Sequence, residues 1–162
     1  MSTLLQALEG MLSGCKAKVS VVTLLITCAA ATIFMTGLGF LVQFVAYPLF
    51  SEVGSSEFVE YHAGWSARIT PVVFVPMSVE LLSAAALVVN PPPGSTATVA
   101  AIGLALAGVT WLSTVFLQVP AHSRLATGFN ADSHRRLVRT SWVRTLAWTG
   151  HSLVVCAMLA AA

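Results

Sequence analysis

The chain runs from Val19 to Ser51 without a single charged residue, and further uncharged stretches follow. About 20 apolar residues are enough to cross the hydrocarbon core of a bilayer. With 57% hydrophobic and only 9% charged residues, a chain of this length cannot enclose its apolar surface in a water-soluble domain. We therefore expect an integral, multi-pass membrane protein whose solvent is the lipid bilayer.

Turn signals divide these stretches into four pieces of membrane-spanning length. The run from Pro91 to Pro93 removes backbone donors, so it stops helix two and predicts a tight connection to helix three. Pro71 suits the first turn of helix two, and Pro120 is expected to end helix three. The sequence predicts an all-α membrane protein, a four-transmembrane-helix bundle forming one domain over residues 1–162. The expected helices cover residues 20–47, 71–89, 97–119 and 141–161.

The connection between helices one and two contains a second periodic pattern. Its apolar and aromatic residues recur at steps of three and four, which is typical of an amphipathic helix. We expect a short amphipathic helix that caps one end of the bundle, with an interfacial aromatic belt as the alternative interpretation. The residues on its aromatic face are Phe58, Tyr61, His62, Trp65 and Ile69.

The basic residues are unevenly distributed along the chain. All six arginines fall in or beside the 48–70 and 120–144 connections, while both lysines precede helix one. By the positive-inside rule the arginine-rich loops are expected to be cytoplasmic, in the plasma membrane of a bacterium. The net charge of +2 is small, and no basic run alternates with aromatics, so nothing indicates nucleic acid as a partner.

Two ionisable residues fall inside the predicted spans. Glu80 and His151 each lie about nine or ten residues from the same membrane face, which places both at a depth of about 15 Å. An ionisable group at that depth costs about 2.5 kcal/mol or more on insertion scales, so it is usually paired and often functional. We expect the two side chains to meet, either in a functional site or as a pair that only fixes helix packing.

The histidines also raise the question of a metal. Imidazole and carboxylate ligands suit Fe, Cu or Zn. None of the four histidines shares a short HxH or HxxxH spacing with another, so a site would have to be assembled from separate segments. The sequence therefore gives no firm indication of a cofactor and assigns no metal ligand, although bound Fe or Cu stays open.

Residues 114–125, TVFLQVPAHSRL, and residues 139–147, RTSWVRTLA, resemble the anthrone-oxygenase-like family of small four-helix membrane proteins. Those proteins show Val-Pro-Leu-Asn-x-x-Leu at the end of helix three and Asn-His-Val-Arg-Thr at the start of helix four. Pro120, Leu125, Arg144 and Thr145 match the pattern. The chain departs from it where His122 stands in place of Asn and where Ser-Trp replaces the Asn-His pair.

The resemblance implies a membrane-embedded oxygenase that acts on a hydrophobic phenolic or polycyclic, anthrone-like substrate. Such chemistry needs a base, a cation that stabilises developing negative charge, and aromatic walls. His62 or His122 is the expected base, and Arg144 is the expected cation. Glu80 and His151 complete the catalytic candidates. Candidate substrate-binding residues are Tyr61, Trp65, Arg68, Gln118, Trp142 and Trp148.

A non-enzymatic function is the alternative. In a small carrier or an accessory subunit of a membrane complex, Glu80 and His151 would bind a proton or an ion within the membrane. The sequence alone leaves both functions open.

Overall fold

A computed structural model describes the backbone of residues 2–162 and the side chains of residues 21–162. Its regular structure is entirely helical within this part of the chain. Four segments are long and apolar enough to cross a membrane, and the prediction of an all-α four-helix transmembrane bundle is confirmed. The segments are Val21–Glu52, Phe58–Val89, Ala97–Leu125 and Ala131–Ala161.

Helix one continues beyond its predicted end at residue 47. It consists of an α-helix, a π-helical turn, a single α-turn and a short 3-10 turn. The wide turn ends two residues before Pro48, and the backbone N–H of Tyr47 donates to the carbonyl of Val42. Proline lacks an N–H and clashes with the carbonyl four residues earlier, so widening the helix before it relieves that clash. The four pieces are Ser2–Leu41, Val42–Ala46, Tyr47–Leu49 and Phe50–Glu52.

Helix three repeats this arrangement, and the prediction that Pro120 ends it is wrong. An α-helix over Ala97–Ser113 passes into a π-helical turn over Thr114–Gln118 and then into an α-helix over Val119–Leu125. The N–H of Val119 donates to the carbonyl of Thr114. The helix therefore passes the proline instead of stopping there.

Helices two and four begin well before their predicted starts at residues 71 and 141. Helix two covers Phe58–Val89 and helix four covers Ala131–Ala161. The amphipathic segment predicted as a separate cap is helical, but it is continuous with helix two because Pro71 and Pro76 lie inside the helix without breaking it. At 1.5 Å per residue each helix is about 45 Å long, so its first turns extend past the hydrocarbon core.

Short capped connections join the helices. The turn between helices two and three contains Gly94 with φ +76°, a backbone conformation that glycine adopts without a steric penalty. Thr96 then caps helix three, because its hydroxyl oxygen accepts from the N–H of Val99 at 3.3 Å. Asn130 caps helix four in the same way, accepting from Ser133 at 2.8 Å. The predicted hairpin of helices two and three is thus confirmed.

The helices pack in a ring in which one contacts two and four, and three contacts two and four. Helices two and four are therefore diagonal. We call the end that carries residues 50–62 and 122–137 the mouth end. Buried aromatic and aliphatic side chains pack there, among them Phe50, Phe58 and Leu137. In the middle of the bundle the buried cluster is smaller, and we call it the middle layer. It is formed by Met35, Met77 and Trp148, and it leaves room for a cavity.

Candidate functional site

A cavity of about 390 Å³ lies in the bundle between the middle layer and the mouth end. Volumes of roughly 300–1,000 Å³ are typical of small-molecule sites. All four helices contribute to its walls, which are mainly aliphatic and aromatic. The polar or indole side chains that reach the cavity wall include Tyr47, Gln118, His122, Arg144 and Trp148.

A chain of hydrogen bonds connects the inner wall of the cavity with the mouth end. The Nη2 of Arg144 donates to the Tyr47 hydroxyl oxygen at 3.2 Å. That hydroxyl lies 3.1 Å from Nε2 of His122, and Nδ1 of His122 lies 3.0 Å from Nε2 of His62. Residues from all four helices therefore form one connected group.

The direction of these bonds follows from Arg144, which can only donate. Tyr47 accepts from Arg144 and can then donate its own O–H to Nε2 of His122. With Nε2 as acceptor, Nδ1 of His122 carries the proton and donates to His62. Tyr47 and His122 then each accept one hydrogen bond and donate one, and a proton taken up at the Tyr47–His122 contact can pass towards the mouth end.

Arg144 is the least compensated charge in this group. Its side chain is buried, with 7% of its surface exposed, and among residues 21–162 no carboxylate lies within 4.0 Å of it. Both of its hydrogen bonds leave from Nη2, to the hydroxyls of Tyr47 and Ser141, while its Nε is enclosed without an acceptor. A cation buried this way is costly unless something anionic joins it.

The Glu80–His151 pair lies deeper in the bundle, and the expected contact between the two side chains is confirmed. Nδ1 of His151 donates to Oε1 of Glu80 at 2.7 Å, and the indole N–H of Trp148 donates to Oε2 at 2.9 Å. Glu80 has no exposed surface. Gly103 of helix three leaves space for the His151 ring, because a Cβ at that position would lie 3.0 Å from Nε2 of His151.

Trp148 links this pair to the cavity. The guanidinium carbon of Arg144 lies 5.6 Å from the centre of the Trp148 ring, within the range of a cation–π contact. Glu80 fixes the edge of that ring, and Arg144 packs against its face. Neither Glu80 nor His151 lines the cavity. The pair is connected with the cavity through the Trp148 ring, which Glu80 holds by a hydrogen bond.

The structure places five of the predicted site residues around the cavity and the others elsewhere. Trp65, Gln118, His122, Arg144 and Trp148 surround the cavity. His62 is buried behind His122 and does not line the cavity. Tyr61 and Arg68 face an open groove on the outside of helix two, and Trp142 packs on the outer surface against Phe40 and Phe44.

Tyr47 is the central residue that was not among the sequence-predicted site residues. It shares a helical face with the polar residues Thr36 and Gln43, which was the available signal. Its position at the predicted end of helix one made it indistinguishable from an interfacial aromatic residue. In the structure it is buried, and its backbone carbonyl also accepts from Nε2 of His134 at 2.7 Å.

No three His, Cys, Asp or Glu side chains come together in a metal-binding arrangement within residues 21–162. His62 and His122 share a hydrogen bond, as do Glu80 and His151. In the cavity wall, the Tyr47 and His122 side chains can take part in acid–base chemistry, and Arg144 can stabilise negative charge.

Comparisons with protein-family models, with curated proteins and with solved structures gave no match to this chain. The resemblance of residues 114–147 to the anthrone-oxygenase-like family therefore stays a prediction.

Proposed function

We propose that this protein is a membrane-embedded enzyme that binds a flat, hydrophobic phenolic molecule in the cavity and promotes its oxygenation. The observation that carries the proposal is the buried Arg144, which has no carboxylate partner among residues 21–162 and stands in an apolar cavity wall beside the Tyr47–His122 contact. An oxyanion on the substrate would supply the missing counter-charge. The proposal agrees with what the anthrone-oxygenase resemblance implies.

The proposed reaction begins when the activated ring methylene of an anthrone-like substrate gives a proton to the hydroxyl oxygen of Tyr47, which lines the cavity and passes its own O–H proton to Nε2 of His122. His122 is thus the base, acting through Tyr47. Arg144 stabilises the negative charge that moves onto the substrate oxygen. Molecular oxygen adds to the resulting carbanion, and protonation gives a hydroperoxide. Loss of water from the hydroperoxide leaves a carbonyl, so one O₂ converts a methylene into a ketone and one water. His62 accepts from Nδ1 of His122 and carries the proton onward, towards the mouth end.

The proposal predicts that purified protein will accelerate oxygen consumption by anthrone, with anthraquinone as the product. His122→Gln should lower this rate by about a hundredfold or more, the contribution of a general base, while the thermal melting temperature changes little. An oxygen electrode and the anthraquinone absorbance measure the two sides of the reaction.

His134→Gln is the matched control, because Nε2 of His134 donates to the backbone carbonyl of Tyr47 and the residue does not line the cavity. His62→Gln removes only the group that receives the proton from His122. Each should reduce the rate much less than His122→Gln. If wild-type protein adds nothing to the rate in protein-free buffer, the proposed function is wrong. If His62→Gln is the more damaging change, the base has been assigned to the wrong histidine.

The alternative function, a carrier that binds a proton or ion at Glu80 and His151, has one observation in its favour: the pair is buried at membrane depth. Both carboxylate oxygens of Glu80 already accept hydrogen bonds, however, and the pair does not reach the cavity. The enzyme is therefore the better supported of the two functions.

In the proposed orientation the mouth end lies on the cytoplasmic side of a bacterial plasma membrane, because the arginines cluster at this end of the bundle. In a variant without native cysteines, Ala131→Cys should react with an impermeant thiol reagent only after the cells are permeabilised. Pro93→Cys, at the opposite end, should react in intact cells. Both positions are exposed, and the reverse labelling pattern would show that the orientation is inverted.

A further inference from the structure

The cavity has an opening in the side of the bundle, between helices two and three. Some cavity-lining residues also have large exposed surfaces: Phe74 is 57% exposed, Val115 49% and Val119 54%. All three are apolar and lie inside membrane-spanning segments. The opening therefore faces lipid tails.

Helix packing explains why the bundle opens at this place. Helix two packs along Ala97–Ser113, the first part of helix three. Beyond Ser113 helix three passes through its π-helical turn and packs against helix four. Helices two and three therefore separate at the level of the cavity.

The mouth end is closed by contrast. Phe50 and Phe58 are fully buried there, and their rings meet edge to face with centres 6.1 Å apart. His62 and Leu125 are also buried in this end of the bundle. A flat molecule arriving from water along the bundle axis would have to displace this packed layer.

We infer that the substrate reaches the cavity sideways from the bilayer, as a neutral, lipid-dissolved molecule, through a portal formed by Phe74, Val115 and Val119. This inference rests on the proposed function and adds the physical state of the substrate. An uncharged phenol crosses an apolar portal at little cost, whereas its anion does not. The molecule acquires negative charge only inside, where Arg144 stabilises it.

The test uses 1-hydroxyanthraquinone, a flat, lipid-soluble phenol, with protein in phosphatidylcholine nanodiscs. Trp65, Trp111 and Trp148 line the cavity, so stopped-flow quenching of tryptophan fluorescence reports occupancy. The double variant Val115→Phe/Val119→Phe narrows the portal with residues one helical turn apart. Association and dissociation should both slow by about tenfold or more, with the dissociation constant changed less than threefold.

The matched control is Val109→Phe/Leu112→Phe, which adds the same rings to exposed positions of helix three that do not line the cavity. It should bind the probe at the wild-type rates.

Wild-type rates in the portal variant would overturn the inference and leave the proposed function standing. Faster dissociation with weaker binding would also overturn it, because these valines would then be part of the binding wall. Tighter binding would overturn it as well, because the added rings would then contact the bound probe and these positions would belong to the binding wall. If wild-type protein does not bind the probe at all, the proposed function fails and the portal with it.

Discussion

Arg144→Met should abolish most of the activity and leave the protein as stable as the wild type or more so. Losing a group that stabilises an oxyanion costs about a hundred- to a thousandfold in turnover. Replacing a buried, uncompensated cation with an apolar side chain removes an unfavourable charge, so no loss of stability is expected. The rate of anthrone oxidation and the melting temperature in detergent measure the two effects.

Arg139→Met is the control, since Arg139 is exposed on the same helix. It should leave both quantities at wild-type values. A second measurement does not depend on turnover: bound 1-hydroxyanthraquinone should show its phenolate absorbance with wild-type protein and its neutral absorbance with Arg144→Met. A destabilised Arg144→Met variant that still binds the phenolate would contradict the assigned role.

Glu80→Leu should destabilise the protein by about 3–5 kcal/mol, the usual cost of removing one partner of a buried ion pair. The change leaves two buried donors, on Trp148 and His151, without an acceptor. Glu80→Gln should cost less, about 1–3 kcal/mol, because one amide oxygen can accept from only one of them comfortably. Unfolding free energies from detergent-denaturation titrations give these values.

The double variant Glu80→Leu/His151→Leu should be less destabilised than the sum of its single variants, because the second change removes an orphaned donor. Glu60→Leu, an exposed glutamate on the same helix, should be nearly neutral. Wild-type stability and activity in Glu80→Gln would show that Glu80 is only a tolerated packing residue.

The bundle and the deep pair could be predicted because both depend on distances along the chain. Hydropathy over about 20 residues identifies a membrane span, and counting turns places Glu80 and His151 at the same depth. Neither prediction depends on which helices are neighbours. The pair meets even though its helices are diagonal, because the two side chains reach towards each other and Gly103 leaves space for the His151 ring.

The cavity could not be predicted in the same way, because it depends on where helices bend and separate. The predicted helix ends lie at residue 47 and at Pro120, and only the backbone shows that a wider turn carries each helix past the proline there. His62 and His122 both looked suited to face the bundle interior, but only packing decides that His122 lies in front. Tyr61, Arg68 and Trp142 have suitable chemistry and lie on outer surfaces.

The two π-helical turns also determine which way the site residues point. Such a turn holds one more residue than the α-helical turn it replaces, and each residue rotates the chain by about 100° around the helix axis. Tyr47 follows one wide turn and His122 lies just beyond the other. A chain shorter by one residue in either turn would keep its spans and its hydropathy, yet Tyr47 or His122 would face a different direction. Helix register, as much as residue identity, therefore encodes the chemistry of this protein, and single-residue insertions and deletions in these turns can alter the site while leaving the membrane bundle intact.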